Sequence, residues 1–215
     1  MVRSEPDVSK VENSIFNTFT QRSPPFVDRE LIGEWKKMFF MQHYGVPTRL
    51  LDWSESPFVS LYFALSNAHR DKRGKPCRDV ALWLCDPVQW NKVALSHISY
   101  AGGILDESSE QLKGYSPDLN GQNAPQPVMI YGVHNSPRIV AQRGVFALFG
   151  KSRKGMEKIF VEGDFPARTL VKVIIGKSCV DQLLESLFQK GFSEATIFPD
   201  LAGLSLEIRR KFGFK

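Results

Sequence analysis

Apolar residues recur at helical spacing early in the chain. Leu31, Ile32, Trp35, Met38 and Phe39 form one stripe. This predicts a helix capped by Asp28 and running to about Gln42, where Gly45 and Pro47 stop it. Phe58, Leu61, Tyr62 and Leu65 form a second stripe, and Val59, Phe63 and Ala64 make that segment apolar on most sides. A buried helix from Pro57 to about His69 is expected, with Ser54 or Ser56 as its cap. Residues 1–27 read as a polar N-terminal arm in which Ile15, Phe16 and Phe19 support a turn or two of helix.

Beyond the charged loop at 70–78 the pattern changes. Val80 to Cys85 is apolar throughout and bounded by turn residues, which predicts a central strand, with a short helix through Trp90 after Asp86-Pro87. Residues 95–127 carry repeated glycine and proline and read as a long loop or flap. Further strands are predicted at Val128–Tyr131, Val145–Phe149, Lys158–Val161 (weakly), Thr169–Ile175 and Thr196–Phe198. Ser136-Pro137 starts a short helix with Gly144 as its C-cap. Ser178 caps an amphipathic helix with Val180, Leu183, Leu184 and Leu187 inward, and Asp200 caps a last helix to about Lys211. Strand and helix do not alternate regularly. The expected fold is therefore α+β: a single domain over 1–215, with a mixed, mostly antiparallel sheet flanked by helices.

Composition narrows the classes. Of 215 residues, 24% are charged and 12% aromatic, which is not a disordered composition. No apolar run approaches the roughly 20 residues that span a bilayer. No apolar stretch follows the first residues, so no secretory signal and no membrane partner is expected. Three widely spaced cysteines match neither a zinc pattern nor a disulfide framework, and a cytoplasmic location is the natural expectation. The net charge is 28 − 23 = +5, with a cluster at Arg209-Arg210-Lys211 and Lys215; a mild positive field favours an anionic partner such as a nucleotide or nucleic acid.

The densest candidate chemistry lies between the two helices, from Gln42 to Ser54. Gly45 permits a turn and Pro47 extends Val46, so Thr48, Arg49 and Asp52 are presented on a short path. Arg49 offers a planar fork for phosphate or carboxylate, and His43 and Tyr44 can donate hydrogen bonds or stack on a ring. Arg49 and Asp52 can equally pair with each other and pin the turn. A second candidate is Gln142-Arg143-Gly144-Val145-Phe146, with Asn135 and Arg138 upstream; a third is Pro199-Asp200, where Asp200 reads first as a helix cap. No phosphate-binding loop, dinucleotide glycine fingerprint, zinc helix or nucleophile elbow occurs, and no metal ligand set is expected.

The run Gln42-His43-Tyr44-Gly45-Val46-Pro47-Thr48-Arg49-Leu50-Leu51-Asp52-Trp53-Ser54-Glu55-Ser56-Pro57, followed by Leu61-Tyr62-Phe63-Ala64, resembles the signature of the FRG domain family. Arg138, Gln142, Gly144 and Phe146 resemble a second block, and Phe198-Pro199-Asp200-Leu201 with Gly203 a third, so the resemblance extends over nearly the whole chain. The eponymous Phe-Arg-Gly tripeptide is missing; either Val2-Arg3-Ser4-Glu5 is its degenerate counterpart or the N-terminal strand that carries it is cut away. The layout is also similar to ADP-ribosyltransferases, which carry an early Arg or His, a Ser/Thr segment followed by a helix, and a late acid. Here Arg3, then Thr48 with the 61–64 segment, then Gln142 would correspond. No acid lies between Asn135 and Lys154, and the next is Glu157.

Two functions from different classes follow from the resemblance. The first is an NAD-using enzyme, an ADP-ribosyltransferase acting on a protein or nucleic-acid acceptor or an NAD glycohydrolase. Asp52, Glu55 and Gln142 would be its catalytic residues. Arg3, His43, Thr48, Arg49 and Arg138 would hold phosphates or ribose, and Tyr44, Trp53 or Tyr62 would stack on nicotinamide. The second is a non-catalytic module in which the same cluster binds a nucleotide or nucleic-acid phosphate.

Overall fold

The computed structural model describes residues 8–27, 31–116, 126–133 and 136–214. In chain order the elements are α1 (Val8–Arg22), a 3-10 turn (Pro24–Phe26), α2 (Glu34–His43), β1 (Leu50–Ser54), α3 (Pro57–Ser66), β2 (Val80–Cys85) and α4 (Pro87–Ala94). They continue with a 3-10 segment (Glu110–Tyr115), β3 (Val128–Tyr131), α5 (Pro137–Gln142), β4 (Gly144–Leu148), α6 (Met156–Glu162) and β5 (Leu170–Ile175). A 3-10 turn (Lys177–Cys179), α7 (Val180–Gln189), α8 (Glu194–Ile197) and α9 (Leu201–Lys211) complete the chain. The fold is α+β, as expected. The strands form a three-stranded sheet in the order β1-β4-β3 and a two-stranded ladder of β2 with β5.

The chain divides into two compact units. The first comprises Met1–Leu51, Pro87–Val133 and Phe146–Phe165; the second comprises Asp52–Asp86, His134–Val145 and Pro166–Lys215.

In the first unit α1 lies against α2, with Phe19 and Phe40 ring centroids 6.3 Å apart. The polar arm therefore contains a helix of 15 residues, much longer than a turn or two. Tertiary packing of its inward stripe supplies what its weak apolar content does not. α2 begins later than its stripe suggests, because Gly33 with φ +92° breaks the helix ahead of it and leaves Ile32 72% exposed. Asp28, the expected cap, lies outside the described residues. Met38, Phe39 and Met41 are buried, and Phe39 meets Phe146 of β4 at 5.1 Å.

Around α4 the core is closed by side chains that act as strand partners. Trp90 is fully buried, stacks on Phe165 at 4.5 Å and donates its indole N–H to the Pro127 carbonyl at 2.8 Å. Asn91 is also fully buried. Its Oδ1 accepts the Met129 N–H at 2.7 Å, and its Nδ2 donates to the Met129 and Gly103 carbonyls at 2.9 and 3.2 Å. The expected flap is structured in part: Leu105 bridges to Ile130, and Leu112 and Tyr115 are buried. Residues 158–161 belong to α6 and not to a strand. Burial falls on Met156 and Ile159 while Val161 is 81% exposed, whereas a strand would place 159 and 161 on one face.

In the second unit β2 and β5 pair antiparallel from Val80↔Ile175 to Cys85↔Leu170. β2 is not a central strand. Its only described ladder partner is β5, Leu84 is 44% exposed, and Lys172 Nζ lies 5.2 Å from the Trp83 ring across the ladder. One core cluster joins Val59, Tyr62 and Leu65 of α3 to Val180 and Leu187 of α7 and Ile197 of α8. α3 starts as expected, with the Ser56 hydroxyl accepting the Val59 N–H. α5 ends not on Gly144 but on Arg143, which takes the left-handed conformation at φ 46°, and Gly144 opens β4. α7 is entered through Cys179, with no cap bond from Ser178.

Residues 194–197 form α8 where a strand was expected. The Ser193 N–H donates to Thr196 Oγ1 at 2.7 Å and closes a capping box. α8 packs against α9 at Gly203, where an added Cβ would lie 1.9 Å from the Phe198 carbonyl oxygen and 2.9 Å from that of Glu194. Both are backbone atoms. Gly203→Ala is therefore expected to destabilise the protein by about 3 kcal/mol through overpacking. A shift of the urea midpoint at unchanged slope would show this, and an unchanged midpoint would refute it.

Candidate functional site

Within the first unit the expected signature folds into a turn with its polar groups turned inward. Gly45 takes φ +72° and turns the chain out of α2. The Thr48 hydroxyl donates to Gln42 Oε1 and accepts the Leu50 N–H at 3.1 Å. Arg49 does not pair with Asp52. Its Nε donates to Glu12 Oε1 at 2.6 Å, its Nη2 to Glu12 Oε2, and its Nη1 to the Tyr115 carbonyl at 3.2 Å. The two side chains are only 14% and 15% exposed. The fork therefore joins α1, the start of β1 and the 3-10 segment ending at Tyr115, and it is spent on the fold. His43 lies edge-on to Tyr44 at 4.8 Å, and Tyr44 packs on Phe40 at 4.6 Å while remaining 64% exposed.

Glu12 was missing from the candidates, although the sequence held a signal for it. Glu12, Ile15, Phe16 and Phe19 fall on one helical stripe, and all four are partly buried. A carboxylate on an inward stripe calls for a cation.

Asp52, Trp53, Glu55, Tyr62, Arg138 and Gln142 fall in the second unit. Asp52 and Glu55 are exposed. The Ser54 hydroxyl donates to the Gln142 carbonyl at 2.7 Å, and the Glu55 N–H donates to the Arg143 carbonyl at 3.1 Å. The Gln142 amide donates to the Ile197 carbonyl at 3.2 Å, so it fastens α5 to α8 and does not project into a cleft. Arg138 donates to Asp200 Oδ2 at 2.9 Å and lies 4.8 Å from the Phe198 ring centroid. Asp200 also caps α9, accepting the Gly203 N–H at 2.8 Å, and that bond together with Arg138 holds its carboxyl below the usual range. The Trp53 indole N–H is buried with no acceptor among the described residues. Arg3 and Asn135 lie outside the described residues. Cys179 is exposed.

Of the predicted residues, Tyr62 lines a sizeable cavity in this unit. The cavity measures about 690 Å³ and is lined by Tyr62, Phe63, Phe198 and Phe214, with Arg209 and Arg210. Glu194 also lines it, and both of its oxygens accept from Arg210 Nε, at 2.8 and 3.0 Å. The Arg210 guanidinium is stacked 3.7 Å from the Phe188 ring centroid. Burial, with Glu194 beside it, pushes Tyr62 up to about 12, so its hydroxyl keeps its proton at neutral pH. Sequence patterning flagged the Arg209-Arg210-Lys211 cluster but not the aromatic floor, because Tyr62, Phe198 and Phe214 are brought together only by the packing of α3, α8 and α9.

Residues 1–73 match the family model of the FRG domain. This part of the chain belongs to the FRG domain family. The FRG match contains α1, α2, β1 and α3, and with them the full signature from Gln42 to Ala64 and both partners of the Arg49–Glu12 pair. It ends at Arg73, ahead of the two later blocks of resemblance. No curated protein and no solved structure matches the chain.

Proposed function

We propose that this FRG-domain protein is a nucleotide-binding recognition module whose ligand occupies the aromatic and basic cavity of the second unit. The observation that carries this reading is the company of Arg209 and Arg210 with Tyr62, Phe63, Phe198 and Phe214 around one cavity of about 690 Å³. That volume lies within the range of small-molecule sites. Aromatic faces receive a base, and guanidinium groups receive phosphate. The +5 net charge adds a favourable field for an anion.

The catalytic alternative, NAD cleavage by an ADP-ribosyltransferase or NAD glycohydrolase, has weaker support. It needs a carboxylate facing the developing positive charge on ribose. The carboxylate that lines this cavity is Glu194, and both its oxygens already accept from Arg210. Asp52 and Glu55 are exposed, and Gln142 is tied to Ile197. NAD remains a candidate ligand as a dinucleotide. No helix of the described residues is long and apolar enough to cross a membrane. With three free cysteines, two of them exposed, a reducing cytoplasmic setting suits the chain.

The test is calorimetric titration with AMP, ATP and NAD, run beside an assay for nicotinamide release. Binding is expected to weaken with salt. Arg209→Glu and Phe214→Ala, both at exposed positions, are each expected to weaken binding about tenfold or more, or roughly 1.4 kcal/mol, with circular dichroism reporting a retained fold. Absence of binding by all three nucleotides would overturn the module reading. Nicotinamide release abolished by Glu194→Gln would replace it with the enzymatic one.

A further inference from the structure

With Thr48 and Arg49 committed inside the fold, the signature keeps two side chains that line a cavity of the first unit: Tyr44 and Val46. Their neighbours there come from α1, the 3-10 turn and α2. Ile15, Phe19, Phe26 and Phe40 make the lining almost wholly apolar around about 480 Å³. Phe26 is 85% and Tyr44 64% exposed, so large aromatic surface is left toward solvent at this place. Covering such surface with an apolar ligand is favourable. Arg22, in the last turn of α1, stands at the same cavity and is exposed; it has no carboxylate partner among the described residues.

We infer that this cavity is a binding site for a small amphipathic carboxylate, its apolar body among Phe19, Phe40 and Tyr44 and its anionic head on Arg22. The size falls within the usual range for small ligands. Apolar walls with one cation at the edge select for a molecule of the same polarity: hydrocarbon or ring at one end, one negative charge at the other. A nucleotide suits the site less well: beside the hydroxyls of Ser14, Thr18 and Ser23 the lining has one cation, Arg22, for several phosphate oxygens whose desolvation must be compensated. The site is separate from the cavity assigned to nucleotide, and either assignment can fail without the other.

The test uses the full chain with dodecanoate and dodecanol as probes, below micelle-forming concentrations. Binding is followed by amide NMR shifts at Tyr44 and Val46 and by calorimetry. Dodecanoate is expected to bind and dodecanol to bind about tenfold less well. Arg22→Glu should weaken dodecanoate about tenfold or more and leave dodecanol unchanged. Thr18→Trp, at an exposed position lining the cavity, should fill the space and remove both. Equal affinity for the two probes, or indifference to Arg22→Glu, would overturn the carboxylate assignment. No binding, together with dimerisation that Thr18→Trp disperses, would instead make this face a contact between two copies and overturn the site altogether.

Discussion

Asn91→Ala is expected to destabilise the protein by about 3–5 kcal/mol. The side chain is fully buried and uses both ends of its amide on β3 and the neighbouring loop. Truncation orphans the buried Met129 N–H, at about 1–3 kcal/mol, and takes one donor each from the Met129 and Gly103 carbonyls, which keep the Leu105 N–H and the Tyr100 hydroxyl. The cavity left behind adds to that. The total is a large fraction of the roughly 5–15 kcal/mol that holds a domain together. Asn91→Asp should be no better, because a carboxylate can accept from Met129 but cannot donate to either carbonyl, and its charge is buried unpaired. Urea titration decides the matter: a loss below about 1 kcal/mol for either variant would mean that water or a shifted backbone replaces the amide.

The second large effect is expected at the Arg49–Glu12 pair. Breaking a buried ion pair from one side typically costs about 3–5 kcal/mol, since the surviving charge stays behind uncompensated. Arg49→Ala and Glu12→Ala should each fall in that range. Arg49→Lys should rescue little, because an ammonium cannot reproduce bonds to two carboxylate oxygens and the Tyr115 carbonyl at once. Arg49→Met combined with Glu12→Leu should cost clearly less than the two single losses summed, which a double-mutant cycle reads directly. The opposite result is as informative. If Arg49→Ala kept its stability and instead lost nucleotide binding, the guanidinium would belong to a ligand site, and the structural role assigned to it would be wrong.

How much of this was legible depends on the distance over which each feature is decided. The Ser56 and Asp200 caps, the β2 and β5 ladder strands and the inward stripe of α7 rest on spacing within a few residues, and patterning located them closely. The failures share a cause. Residues 158–161 and 196–198 are too short for their periodicity to separate strand from helix. Burial of Met156 and Ile159 settled the first, and the contact of Gly203 with Phe198 and Glu194 settled the second. The left-handed Arg143 overrode the expected glycine cap because β4 needs Gly144 where Ile139 Cγ2 would stand 3.3 Å from a Cβ.

The same division runs through the candidate sites. Residue order alone singled out the Gln42–Ser54 segment, because a dense set of polar side chains beside a turn-forming Gly45 is a local property. What those side chains bind is not local. Arg49 finds its carboxylate 37 residues upstream and its carbonyl 66 residues downstream. Tyr62 meets Arg210 and Phe214 around one cavity only through the packing of α3, α8 and α9. Sequence by itself determined the longer helices after α1, the strand segments β2 to β5, the turn at Gly45 and the identity of the polar set, because backbone preference and amphipathic spacing act between near neighbours; β1, α6 and α8 needed the tertiary structure. Tertiary structure alone decided that Arg49 holds the fold while Tyr44, Val46 and Tyr62 are left to line cavities. A charged or aromatic side chain takes its role from whichever distant groups the fold brings within a few ångströms of it.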